Sequence, residues 1–193
     1  MYRAFLGVAF AVGLAAPMAA AQEVDGCPAG TFETLLTPDG ATLTILFDSF
    51  VVELADGDGT TRATCNLHIP LPLPPNTSIG VYKVDYRGFA YLAAQQQFEF
   101  EITYGFNDGR DHSYRRQIRG TADENFALSQ TIGAGLMRRV GCGASAALDI
   151  HAVIALDARG RPGQAYAGLD TYDGTPRGGL VYQFQLRPCG RQQ

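Results

Sequence analysis

Tryptophan is absent from this 193-residue sequence, and lysine occurs once, at Lys83. The first absence removes the flat indole surface that a sugar-binding platform often uses, leaving tyrosine for that task. The second is not offset by arginine, because 15 basic residues face 19 acidic ones and the formal charge is −4. Such a balance gives no electrostatic reason to expect nucleic acid as a partner. Cysteine is sparse, at positions 27, 65, 142 and 189, and no C-x-x-C occurs. A zinc knuckle and a thioredoxin-like redox pair are therefore not indicated. The three histidines, His68, His112 and His151, are far apart and show no ligand spacing, so exposure on polar strand faces is expected rather than coordination. Beyond residue 18 no apolar run is long enough to span a bilayer.

The N-terminus sets the expected compartment. Met1-Tyr2-Arg3 supplies one positive charge, Ala4 to Met18 is largely apolar, and Ala19-Ala20-Ala21 offers small residues before polar Gln22-Glu23. This is the pattern of a Sec-type signal peptide, residues 1–21, cleaved after Ala21. Residues 22–193 then form a single domain. Its loss of one Arg and no acid moves the formal charge from −4 to −5. The expected location is secreted, extracellular or periplasmic. An even cysteine count there reads as two disulfides, for which three connectivities exist.

Helical periodicity is almost missing, and alternation takes its place. In Phe98-Glu99-Phe100-Glu101-Ile102-Thr103-Tyr104-Gly105-Phe106 the even positions are large and apolar, while Glu99, Glu101 and Thr103 share the other face. Leu180 to Arg187 and Ala146 to Leu156 repeat the pattern, the latter with Asp149 and His151 facing outward. Further strands are expected at 31–36, 43–53, 64–71, 113–121, 126–131 and 164–171. Turns are expected at Pro38-Asp39-Gly40, Asn107-Asp108-Gly109 and Asp173-Gly174, with a Pro-rich connector at 71–76. The fold class read from this is all-β, an antiparallel, jelly-roll-like β-sandwich of about ten strands. In Val81 to Leu92 the same alternation turns Tyr82, Val84, Tyr86, Ala90 and Leu92 inward and Lys83, Asp85 and Arg87 outward.

Several local patterns follow one another in a characteristic order. They are Gly26-Cys27-Pro28, Leu43 to Phe50, Arg62-Ala63-Thr64-Cys65-Asn66-Leu67, Asp85-Tyr86-Arg87-Gly88-Phe89-Ala90-Tyr91-Leu92, Cys142-Gly143-Ala144-Ser145 and the late Cys189. This order resembles the secreted family called domain of unknown function 4360, found in fungi and bacteria. The resemblance spans nearly all of residues 22–193 and departs from the family pattern at Val140-Gly141 and at Leu186. It implies a small exported β-rich protein and supplies no catalytic residue to carry over. The order of cysteines also suggests the pairing Cys27–Cys65 and Cys142–Cys189.

Each candidate for chemistry has a plainer reading. Gly143-Ala144-Ser145-Ala146-Ala147 nearly matches a nucleophile elbow, but a strand follows where that motif needs a helix. Glu99 and Glu101 lie at a spacing used by glycosidases, yet they fall on one solvated strand face. Asp56 and Asp58 in Asp56-Gly57-Asp58-Gly59 are weak calcium candidates, with an ordinary acidic turn preferred and no other metal or cofactor implied. Arg110, Arg115, Arg116 and Arg119 form a basic cluster around Tyr114; Arg115 and Arg119 share a face and suit acidic groups. Lys83, Asp85, Arg87, Arg115 and Arg119 thus make up the candidate binding face, and no catalytic residue is assigned. A pair between Asp85 and Arg87 that fixes strand register is the preferred role for those two. The function expected is a non-enzymatic binding or surface module whose partner is a cell-surface or environmental polysaccharide or a protein. The alternative is a hydrolase of an extracellular or envelope polymer.

Overall fold

A computed structural model describes residues 22–55, 59–107, 109–161, 163–169 and 179–190. The signal segment and the calcium candidates Asp56 and Asp58 lie outside these described residues. All regular structure among the described residues is β. The strands are β1 (Gln22–Asp25), β2 (Phe32–Leu36), β3 (Thr42–Phe47), β4 (Val51–Leu54), β5 (Thr60–Leu71), β6 (Thr77–Leu92) and β7 (Gln97–Phe106). They continue with β8 (His112–Arg119), β9 (Ala122–Thr131), β10 (Val140–Gly141), β11 (Ala146–Asp157), β12 (Ala165–Gly168) and β13 (Gly179–Pro188).

Two sheets face each other. One runs β1-β5-β11-β7-β8, and the other runs β2-β3-β13-β6-β12-β4 with β9 and β10 also on β6. The pairings are antiparallel except for β1, which lies parallel to β5. That parallel strand, the two-residue β10 and a break at Asp48-Ser49-Phe50 within the expected 43–53 strand raise the strand number above ten. Each departure has a local cause: short segments give too few alternations to read, and a three-residue break with only two polar residues is too short to separate two apolar runs.

The alternation places the core. Phe98, Phe100, Ile102, Tyr104 and Phe106 of β7 are buried, and they meet Tyr86, Phe126, Tyr182 and Phe184 of the opposite sheet through ring contacts. Gln130 of β9 points into the same space, where its Oε1 accepts from Tyr86 Oη at 2.7 Å and Tyr104 Oη at 3.1 Å. Burial drives the phenol ionisations of Tyr86, Tyr104 and Tyr182 upward. Both disulfides, Cys27–Cys65 and Cys142–Cys189, join the cysteines paired by the family resemblance. Their sequence separations of 38 and 47 residues correspond to about 3–4 kcal/mol each in the chain-entropy description.

β6 organises the second sheet. Along one edge it pairs with β13 and then β12, and along the other with β10 and then β9. Opposite Gln183 and Phe184 the register slips, so that Val81 and Lys83 are paired and Tyr82 is an extra residue. This bulge corrects the expected inward position of Tyr82, which is exposed and donates to Gln183 Oε1 at 2.7 Å. A bulge shifts the side-chain phase by one, so Ile79 and Val81 face inward before it and Val84 and Tyr86 after it. Gly88 sits where β13 gives way to β12; a Cβ there would lie 2.1 Å from the Gly168 carbonyl oxygen.

Candidate functional site

The outward residues of β6 form one stripe, Lys83, Asp85, Arg87, Phe89 and Tyr91. Its first half is a closed polar cluster. Asp85 Oδ1 accepts from Ser129 on β9 and lies 2.9 Å from Lys83 Nζ, while Asp85 Oδ2 accepts from Gln183 Nε2 on β13 at 3.1 Å. Desolvation alone would raise the carboxyl pKa, but the bonds from Ser129, Lys83 and Gln183 outweigh it and hold Asp85 below the usual carboxylate range. Its lone pairs are thus taken by groups on three strands, β6, β9 and β13. The cation it takes is Lys83, not the expected Arg87. Arg87 stays exposed.

The second half of the stripe is aromatic. Phe89 is buried although it lies on the outer face, with ring centroids 5.7 Å from Tyr91 and 4.8 Å from Tyr166. Tyr166 pairs directly with Tyr91 across the β12–β6 ladder, Glu53 pairs with Tyr166 on β4, and Asp123 pairs with Tyr91 on β9. Residues directly opposite in an antiparallel ladder share a face, so Glu53, Tyr166, Tyr91 and Asp123 form one row across four strands. The two tyrosines are half-buried and the two carboxylates exposed. A shallow cleft of about 470 Å³ is lined by Glu53, Tyr91, Gln164 and Tyr166. Behind it, the buried side chain of Gln96 fixes the approach to β12. Its Nε2 donates to the carbonyls of Arg161 at 3.2 Å and Gly163 at 2.7 Å, and its Oε1 accepts from Ala93 N at 2.7 Å.

These shelf residues were not among the sequence candidates. The signal for them was Phe89 and Tyr91 continuing the odd-numbered, outward phase of Lys83, Asp85 and Arg87, an aromatic pair on the nominally polar side of a strand.

Arg115 and Arg119 lie elsewhere. They project from β8 on the outer face of the other sheet, so the five expected binding-face residues fall on opposite sides of the sandwich. Arg115 is engaged there with Glu99, at 2.8 Å, a bond that raises the guanidinium pKa. Glu99 and Glu101 are outward, as alternation predicts. Ser145 is exposed in the turn before β11, and its carbonyl accepts from Asn107 Nδ2 at 3.1 Å.

On that same outer face the ladder joins residues remote in sequence. His68 of β5 is opposite Asp149 of β11, with Nδ1 and Oδ1 2.6 Å apart, and Asn66 is opposite His151, with Oδ1 and Nδ1 2.7 Å apart. Thr103 and Arg110 join them around a cleft of about 360 Å³. Asp149 and His151, two apart on one strand, do not form a relay with each other; the dyad runs across strands instead. Among the described residues no group of three or more His, Cys, Asp or Glu is placed to hold a metal ion.

The match to known proteins follows the whole sandwich. The family model described as "domain of unknown function (DUF4360)" matches residues 24–189. The chain belongs to the DUF4360 family. The match takes in both disulfides, the β6 stripe and the aromatic row. A similar protein, an "uncharacterized secreted protein" of the fungus Arthroderma benhamiae, is 28% identical to this DUF4360 chain over 151 residues. The alignment covers 77% of this chain and 62% of that protein. No helix among the described residues is long and apolar enough to cross a membrane, which leaves β-barrels unaddressed.

Proposed function

We propose that this protein is an exported, non-enzymatic glycan-binding module whose binding surface is the Tyr91–Tyr166 shelf. The observation that carries the reading is the pairing of two half-buried tyrosines in direct register, packed on a buried Phe89 and bordered by Glu53 and Gln164 at a shallow cleft. Sugar rings present flat C–H faces with hydroxyls at their rims. Tyrosine rings meet the first, and carboxylate and amide groups meet the second. The absence of tryptophan leaves this tyrosine pair to serve as the platform. Export is supported by the signal-like segment 1–21, by two disulfides of the kind an oxidising compartment sustains, and by the secreted relative. This reading assigns the shelf no cofactor.

A glycan array probed with the mature, oxidised protein, in calcium and in chelator, tests this. Binding to at least one glycan class, reduced about tenfold or more in Tyr91→Ala and in Tyr166→Ala, is expected from the loss of one aromatic contact of roughly 1–2 kcal/mol. Silence across the array under both conditions would remove the reading. A loss on chelation would assign calcium a part.

A second reading, hydrolysis of an extracellular polymer, has one observation in its favour. The His68–Asp149 pair has the orientation of a general base held by a carboxylate, and it opens on a cleft with His151 and Arg110. Turnover of a polymer panel that disappears in His68→Ala and in Asp149→Asn would establish it; an unchanged panel after prolonged incubation would end it.

A further inference from the structure

Resting on the glycan-binding reading, we infer that the shelf selects a polymer of amino sugars carrying free ammonium groups, through the two carboxylates that close the row at either end. Glu53, Tyr166, Tyr91 and Asp123 stand in consecutive register on β4, β12, β6 and β9, so the row spans three inter-strand steps, about 14 Å. The carboxylates at its ends are exposed, and neither makes an ion pair among the described residues. The nearest cation on β6 is Arg87, four residues from Tyr91, about 13 Å along the strand. An acidic polysaccharide would meet repulsion at both ends of this row. A neutral one would leave both carboxylates without a charged partner. A chain of amino sugars stacks its rings on the tyrosines and sets ammonium groups against Glu53 and Asp123 and over the ring faces. The row crosses a sheet face, with ring surfaces at its centre and carboxylates on the end strands β4 and β9, so the stacking part of the site is set by side chains and not by a free strand edge.

Titration calorimetry at mildly acidic pH with an oligomer of glucosamine, the same oligomer N-acetylated, and a lysine-rich peptide of matched charge separates the outcomes. The glucosamine oligomer is expected to bind about tenfold more tightly than its N-acetylated form, the sum of two exposed charge pairs. That preference should shrink with added salt and vanish in the double variant Glu53→Gln/Asp123→Asn, whose native circular dichroism and unchanged thermal midpoint show that it is folded. Equal binding of the two oligomers, lost in Tyr91→Ala/Tyr166→Ala, would overturn the charge selection and leave the glycan reading standing. No binding of either oligomer at this shelf, or binding indifferent to both tyrosines, would overturn the shelf itself. A peptide that binds as tightly as the glucosamine oligomer, with the same dependence on Glu53 and Asp123, would overturn the sugar assignment.

Discussion

Tyr182 carries a hydroxyl group that is wholly buried and has no hydrogen-bond partner among the described residues, in a core where its neighbours are satisfied. Tyr86 and Tyr104 both donate to Gln130, whereas the Tyr182 ring meets Tyr104 edge-on, centroids 5.2 Å apart and planes at 78°. Tyr182→Phe keeps that ring contact and removes only the oxygen. An unsatisfied buried polar group costs about 1–3 kcal/mol. The small void left behind costs roughly 0.3 kcal/mol, since one atom's volume is lost from a close-packed site. A net stabilisation of about 1–2 kcal/mol is expected, which for a domain of this size raises Tm by about 3–5 °C. Calorimetric unfolding of the oxidised protein and its variant measures it, with Tyr104→Phe as the opposing control that loses a real bond and falls in stability. A Tyr182→Phe variant less stable than the parent by about 1 kcal/mol would refute the reasoning, because the hydroxyl would then be making a bond worth more than its burial costs.

Two further predictions follow from buried polar groups. Gln96→Ala leaves the Ala93 amide and the Arg161 and Gly163 carbonyls without their side-chain partner, and a loss of about 2–3 kcal/mol in denaturant unfolding is expected; an unchanged midpoint would mean that the loop before β12 holds itself. Tyr86, Tyr104 and Tyr182 keep their protons to higher pH than a free phenol. Above pH ~10 the unfolded chain therefore sheds protons that the fold retains, so stability is full below ~10 and falls as pH rises, by up to ~1.4 kcal/mol per unit for each tyrosine. Tyrosinate absorbance should show these phenols ionising only together with unfolding, and ionisation while the near-ultraviolet circular dichroism stays native would contradict their burial.

Alternation made the core legible because one side chain in two must leave water, and that rule holds wherever a strand runs unbroken. It carried β7, β11 and β13 and placed Tyr86, Tyr104 and Tyr182 correctly. It failed at Tyr82, because a bulge inserts one residue without changing composition, and nothing local to Val81-Tyr82-Lys83 marks the slip. The candidate sites show the other limit. Asp85 is legible as outward, but its partners Ser129 and Gln183 come from strands 44 and 98 residues away. The His68–Asp149 pair spans 81 residues and depends on the β5–β11 register. Periodicity gives the face of a residue, and register gives its neighbours; one strand in isolation holds only the first.

β6 shows how stability and binding can be divided within one strand. Its inward residues Val84, Tyr86, Ala90 and Leu92 are buried in the shared core, and its Asp85 cluster ties β9 and β13 to it. Past Arg87 the outward phase no longer meets a closed polar cluster, and its aromatic residues are set beside carboxylates that contribute little to holding strands together. An exposed Glu or Asp opposite a tyrosine adds almost nothing to folding, since solvent screens it and no cation answers it. Of the outward aromatic residues Phe89 is buried, while Tyr91 and Tyr166 are half-buried. The two carboxylates that end the row, Glu53 and Asp123, are thus the positions on which folding depends least, and they are where the proposed ligand would have charge to meet.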